Sequence, residues 1–261
     1  MYTFTHLMNK KIHSKFINQS EAIDGIIDNF EVSGTFLGEA LRNSIKIFDF
    51  NSIQINVKSF KKPRFLNQLI YGYFRKSKAQ RSFEFANLLI ENGFKTPQPI
   101  AFYENKSILG LNDSYYISEQ LQTKLTFRNL ITTPDLENHA QILKQFVAFS
   151  YQLHQKGIEF IDNTPGNTLI VDNGIGKYDF YLVDLNRMSF HESMSLEKRI
   201  ANLSRLTTKP EIVEAIINEY AAIGNYNLEE VRTLMLKYTQ YYKNRYHRKE
   251  KMKSKLKFFK K

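Results

Sequence analysis

The stretch from Phe160 to Asn186 constrains this chain most. A loop, Ile161-Asp162-Asn163-Thr164-Pro165-Gly166-Asn167, is followed by two short apolar runs, Thr168 to Val171 and Phe180 to Val183, around a turn at Gly174-Ile175-Gly176. Runs this short, bounded by Gly, Pro and Asn, read as strands rather than helices. The five-residue step from Asp162 to Asn167 carries the loop back across itself, so both side chains can face one cluster. Asp184 closes the second strand, followed by Leu185-Asn186.

Upstream the chain is rich in strands. A short helix is expected around Glu21 to Phe30. Ser44 to Phe50 and the alternating Ile53, Ile55 and Val57 form a hairpin signal across the turn at Asn51-Ser52. Ser77 to Asn92 reads as a helix with apolar Phe83, Ala86, Leu88 and Leu89, capped by Gly93. Thr96-Pro97-Gln98-Pro99 then leads into strands at Ile100 to Tyr103 and Tyr115 to Ser118. Downstream, helices dominate: Leu136 to Gln155 has helical apolar spacing, and helical pattern resumes at Leu196. The expected class is α+β with two lobes: residues 1–120 β-rich with one main helix, residues 121–242 mostly helical, and a basic tail over 243–261.

Five polar residues occupy this frame in a definite order. Lys58 ends an apolar strand, Glu84 lies on the next helix, Asp162 and Asn167 share the loop, and Asp184 ends a later strand. Taken singly, each has a plain reading: a solvated strand end, a surface helix residue, turn chemistry, a helix N-cap. Jointly they match what phosphoryl transfer from ATP calls for. A strand-borne cation holds the phosphates, a helix carboxylate orients it, one carboxylate positions the acceptor hydroxyl, and an amide and a second carboxylate hold Mg²⁺.

Several segments carry a family resemblance: Val57-Lys58-Ser59-Phe60, Arg75 through Glu84, Gly93 through Thr96-Pro97-Gln98-Pro99-Ile100, and Leu153-His154-Gln155-Lys156-Gly157 leading to Asp162 and Pro165-Gly166-Asn167. Over about Gly34 to Arg205 the chain resembles the Kdo/WaaP lipopolysaccharide kinases. The resemblance implies a protein-kinase-like fold and ATP-dependent phosphorylation of an inner-core sugar hydroxyl, on Kdo or heptose. It also implies that Lys58 binds ATP phosphates, Glu84 pairs with Lys58, Asp162 is the catalytic base, and Asn167 and Asp184 bind Mg²⁺.

There are departures from the kinase pattern. Phe160-Ile161-Asp162 stands where kinases have His-Arg-Asp, which removes the usual partner of a phosphorylated activation loop. Asp184-Leu185-Asn186 stands for Asp-Phe-Gly, and Asn tolerates left-handed backbone better than most residues. No Ala-Pro-Glu follows, which argues against a peptide substrate. Gly34 and Gly38 lie where a phosphate-covering loop belongs, although they read equally well as plain turn residues. Glu119-Gln120-Leu121 lies where a kinase hinge would meet adenine, placing Glu119 and Leu121 among the candidate nucleotide contacts.

The chain has 261 residues, no cysteine, 21 Phe and 15 Tyr, as expected of a globular protein in a reducing compartment. Met1 to Phe16 lacks a signal-type apolar run, and no stretch of about 18 apolar residues occurs. The expectation is therefore a cytoplasmic protein, peripheral at the inner membrane. From Lys243 to Lys261, ten basic residues face one acid, Glu250, so this segment carries +9 of the net +11 and leaves +2 for the rest. Lys253, Lys255, Lys257, Lys260 and Lys261 interleave with Leu256, Phe258 and Phe259, which suits an anionic membrane surface; the plain reading is a disordered solubilising tail, and nucleic acid, which would use the same charges, is set aside. A second cluster, Lys61, Lys62, Arg64, Arg75, Lys76, Lys78 and Arg81, suits an anionic, lipid-linked sugar acceptor or a solvated face. His139 and His154 lack metal-ligand spacing, and His154 is expected to pack at its helix end. The alternatives are a small-molecule kinase of the aminoglycoside or choline kinase kind and a non-catalytic kinase-like scaffold.

Overall fold

The computed structural model describes residues 7–38, 43–63, 68, 70–71, 75–107 and 110–258. Arg64, Phe259, Lys260 and Lys261 lie outside the described residues, as do the side chains of Lys253, Lys255, Leu256, Lys257 and Phe258. The chain divides into two compact units: Met1–Gln122 with Asp184–Arg187, and Thr123–Val183 with Met188–Lys261.

The first unit is built on one antiparallel sheet. Its strands are β1 (Leu7–Ile12), β2 (Thr35–Phe36), β3 (Asn43–Phe50), β4 (Ile53–Phe60), β5 (Pro99–Ser107) and β6 (Gly110–Glu119), in the order β1-β5-β6-β4-β3-β2. Strand periodicity sorts β4 onto two faces. Ile55 and Val57 join Ile100, Tyr103 and Ile117 in a core that includes Ile23 and Ile27 of helix α1 (Ser20–Asp28). Lys58 falls on the opposite face with Phe60, which packs with Ala79 and Phe83 of helix α2 (Lys78–Glu91). Ser77 caps α2 by accepting the Gln80 amide at 3.0 Å. Strand β1 was not expected: its Leu-Met-Asn-Lys-Lys-Ile sequence lacks clean alternation, and its pairing with β5 supplies the order.

A buried lysine secures the entry to β2. Lys46, 4% exposed, donates to the carbonyls of Phe30 (2.6 Å), Glu31 (3.1 Å) and Ser33 (3.0 Å). Its charge also lies over the Phe30 and Phe36 rings, so the ammonium is satisfied without a carboxylate.

The second unit combines α3 (Phe127–Thr132), α4 (His139–Gln155), α5 (Leu196–Leu203), α6 (Pro210–Gly224) and α7 (Leu228–Phe258) with short strands. The strands β7 (Leu125–Thr126), β9 (Thr168–Asp172) and β10 (Tyr178–Leu182) form one small sheet, and β8 (Ile158–Phe160) pairs with β11 (Met188–Phe190). Phe146 packs on Phe127 and Phe180 at ring separations of 4.4 and 5.6 Å, joining helix to sheet. Between α4 and β8, Gly157 has φ +68°, and a Cβ there would overlap the His191 carbonyl. Only glycine fits that turn, which delivers the chain to β8 and the loop beyond it.

The basic segment is not set apart in the backbone, because α7 runs unbroken through Lys243 to Phe258. No described helix is long and apolar enough to cross a membrane.

Candidate functional site

In the second unit, the loop between β8 and β9 carries Asp162 and Asn167, and its carbonyls are held one after another. Asn202 Nδ2 donates to the Phe160 carbonyl at 2.7 Å, and Arg205 Nη1 donates to that of Ile161. Asn167 Nδ2 donates to the Asp162 carbonyl at 2.9 Å, and the Arg128 amide to that of Pro165, also at 2.9 Å. Beyond the loop, the Val183 amide donates to the Asn167 carbonyl at 3.0 Å. Buried carbonyls need such partners, and here they also fix the direction of the Asp162 backbone. The Asn167 amide nitrogen thus serves the loop, leaving its oxygen as the atom suited to a cation.

A buried polar chain supports Asn202. His154, 2% exposed, contacts Tyr220 Oη through Nδ1 at 2.8 Å and Asn202 Oδ1 through Nε2 at 3.3 Å. Asn163 Nδ2 also reaches Asn202. Burial pushes the His154 imidazole down to about 4, so the ring is neutral near pH 7. Asn202, on α5, and Arg205, just beyond it, carry no motif in the sequence.

In the first unit, Asp184 Oδ1 accepts from Lys58 Nζ at 2.6 Å and from Asn186 Nδ2 at 2.6 Å. The Lys58 side chain is 13% exposed. Left-handed backbone occurs at Asp184 itself, φ +60°, and not at Asn186. The expectation of Asn186 in that conformation is corrected: Asn186 contributes its side chain, holding the carboxylate of a strained Asp. A non-glycine residue kept in this region costs roughly 1–3 kcal/mol, a strain typical of functional positions.

The expected Lys58–Glu84 pair is also corrected. Glu84 accepts from Lys76 at 2.8 and 2.9 Å and from Gln80 at 3.0 Å, while Lys58 pairs with Asp184. Lys76 just precedes α2 and folds back along its first turns, reaching Glu84 locally. Gly34 and Gly38 both have positive φ. Gly34 precedes β2, and its missing side chain makes room for the Phe48 ring; Gly38 lies in the β2–β3 connection. The Glu119 amide donates to the Gln98 carbonyl at 3.0 Å, and the Leu121 carbonyl accepts from Gln120 Nε2 at 3.1 Å.

Cations gather near the start of α2. Arg75 lies over the Tyr71 ring at 5.7 Å, and Lys78 lies over Phe60 at 5.9 Å. Burial, then the charge of Arg75 and more weakly that of Arg187, hold the Arg81 guanidinium below its usual range. Arg187, from the Asp184 segment, is the member that sequence spacing does not reveal.

Each unit, taken by itself, carries an oxygen donor of a kind that suits Mg²⁺. Among the described residues, no three His, Asp or Glu side chains form a metal cage. Mg²⁺ commonly takes one or two protein oxygens together with phosphate oxygens; Asp184 in the first unit is an oxygen donor of that kind, and so, separately, is Asn167 in the second.

Comparison with known proteins bears on the same features. Among curated proteins none matches. The solved structure "WaaP in complex with acyl carrier protein" matches with TM-score 0.62 at 13% identity, covering 91% of this chain and 98% of that one. A Rio2 kinase–ADP/Mg2+–phosphoaspartate complex from Chaetomium thermophilum matches with TM-score 0.49 at 14% identity, covering 91% and 82%. The WaaP likeness establishes the protein-kinase-like fold. The family model "Lipopolysaccharide kinase (Kdo/WaaP) family" matches residues 49–226, which include Lys58, Glu84, the Asp162 loop and Asp184. The chain is therefore a phosphotransferase and belongs to the lipopolysaccharide kinase (Kdo/WaaP) family.

Proposed function

We propose that this kinase phosphorylates a sugar hydroxyl, on Kdo or heptose, of a lipid-linked lipopolysaccharide inner-core acceptor at the cytoplasmic membrane face. The reading rests above all on the loop that carries Asp162, whose backbone is pinned at successive carbonyls. Asp162 accepts the proton of the acceptor hydroxyl as it attacks. Lys58 neutralises phosphate oxygens of ATP, and Asp184 and Asn167 would hold Mg²⁺. When bound, ATP and Mg²⁺ supply the phosphoryl group and a Lewis acid that offsets its charge. Gly38 and the backbone at Glu119 and Leu121 are the candidate nucleotide contacts; Gly34 acts through the packing of its turn.

The crowding of Arg75, Arg81 and Arg187 supports an anionic acceptor, since a phosphate or carboxylate would relieve their mutual repulsion. Exposed Lys243, Arg245, Arg248 and Lys251 on α7, with exposed Tyr246 and Met252, favour an anionic membrane surface near that acceptor.

The test is transfer of labelled γ-phosphate with Mg²⁺ onto Kdo-lipid A in detergent, beside kanamycin and choline as soluble acceptors. Label on Kdo-lipid A alone is expected. Label only on a soluble acceptor would overturn the sugar-lipid assignment in favour of a small-molecule kinase.

A further inference from the structure

The loop that carries Asp162 lacks the arginine that usually precedes the catalytic aspartate in kinases; Ile161 stands there. Arg205 reaches that place from another part of the chain. It follows α5 and donates Nη1 to the carbonyl of Ile161, the residue immediately before Asp162. Its Nε donates to the Tyr242 hydroxyl at 2.8 Å, and the guanidinium lies over the Tyr242 ring at 5.0 Å. One side chain therefore grips the loop with one arm and α7 with the other.

Each end of this bridge is well anchored. Asn202, three residues earlier, holds the neighbouring Phe160 carbonyl, so two successive peptide oxygens are fixed from the same segment. On α7, the buried Val231 and Met235 seat the helix, and Glu197 accepts from Lys237 at 2.8 Å and from Tyr238 at 2.6 Å. Tyr242 is half-buried, and from Lys243 onward the described side chains are exposed. Tyr242 is thus the last residue of α7 held in this way before the basic segment begins. The planar guanidinium suits the task, since it can donate in two directions while stacking on a ring; a lysine ammonium cannot do both.

We propose that Arg205 is a positioning residue for phosphoryl transfer, clamping the Ile161–Asp162 backbone to Tyr242 of α7. This rests on Asp162 being the base. Losing the clamp leaves the Ile161 carbonyl without its donor and lets Asp162 drift. A misplacement of about 1 Å can cost on the order of a hundredfold in rate without weakening nucleotide binding. The clamp should therefore act on kcat rather than on ATP affinity.

The experiment compares wild type, Arg205→Met, Arg205→Lys and Tyr242→Phe on Kdo-lipid A. It is joined by nucleotide binding, thermal melting and amide hydrogen exchange of the peptide spanning residues 158–168. Expected for Arg205→Met is a kcat loss of roughly ten- to a hundredfold, ATP affinity within about twofold, and faster exchange in that peptide while the protein stays folded at assay temperature. Arg205→Lys should recover part of the rate, and Tyr242→Phe should lose roughly two- to tenfold, the worth of one hydrogen bond. Unchanged exchange and kcat in Arg205→Met would overturn the proposal, as would a rate loss fully matched by unfolding. If the wild type itself fails to label Kdo-lipid A, the acceptor assignment fails instead. Hydrogen exchange then decides the clamp alone: faster exchange in Arg205→Met supports it, and equal exchange refutes it.

Discussion

The two units prepare their polar residues by different means. In the second, the Asp162 loop is held through its backbone, with donors from Asn202, Arg205, Asn167 and Arg128 on the carbonyls of Phe160, Ile161, Asp162 and Pro165. In the first, charged side chains hold one another: Lys58 with Asp184, and Glu84 with Lys76. Backbone clamps fix a direction, whereas ion pairs between side chains can be exchanged for other partners at modest cost. The loop is thus the rigid part of the machinery, and the Lys58 and Glu84 pairings are the adjustable part.

That contrast can be broken by mutation. Lys58→Met should cost the most in the first unit, on the order of 10²–10³ in kcat/KM, because on the proposed role a partly buried cation pairs with phosphates and has no substitute; steady-state kinetics over a range of ATP concentrations would show it. Replacing Lys243, Arg245 and Arg248 together by Ala should weaken binding to phosphatidylglycerol vesicles by roughly a hundredfold, at about 1 kcal/mol per charge. Sedimentation of the full chain with these and with neutral vesicles measures this, and equal binding to both kinds would contradict the membrane reading.

His154 is buried and neutral, its pKa lowered to about 4 in the fold, against an ordinary value near 6.5. Between those values the unfolded chain binds the extra proton, so stability is complete above about pH 6.5 and is lost as pH falls toward 4. The loss approaches about 3 kcal/mol. Thermal melting from pH 7.5 to 4.5 should show the decline, and His154→Gln should flatten it. The smallest effect is expected at Glu84. Because Lys76 rather than Lys58 holds it, Glu84→Gln should lower kcat/KM by less than about tenfold, and a loss as large as that of Lys58→Met would show that the two pair during turnover.

Much of this was legible in the sequence where local chemistry decides. The hairpin around Asn51-Ser52, the Ser77-capped helix with its Gly93 stop, and the Asp162–Asn167 loop are set by turn residues and period, and the structure carries each of them. What was not legible depends on distant partners. Strand β1 lacks clean alternation and takes its order from β5. The partner of Lys58 is 126 residues away, and nothing local distinguishes Asp184 from Glu84 as its mate. Left-handed backbone fell on Asp184 instead of Asn186, against intrinsic preference, as happens where surrounding contacts override the local cost. Arg205 and Asn202 were invisible for the same reason: their targets are backbone carbonyls, which leave no mark in side-chain patterns.

On the proposed function, Asp162, set in a rigid loop, acts on the acceptor hydroxyl rather than on nucleotide binding. The most direct measurement is Mg²⁺-dependent transfer from labelled ATP to Kdo-lipid A by wild type and Asp162→Asn, with ATP affinity measured on both. For Asp162→Asn a kcat loss on the order of 10²–10⁴ is expected, with ATP affinity nearly unchanged. A mutant that transfers phosphate at a rate close to wild type would contradict it.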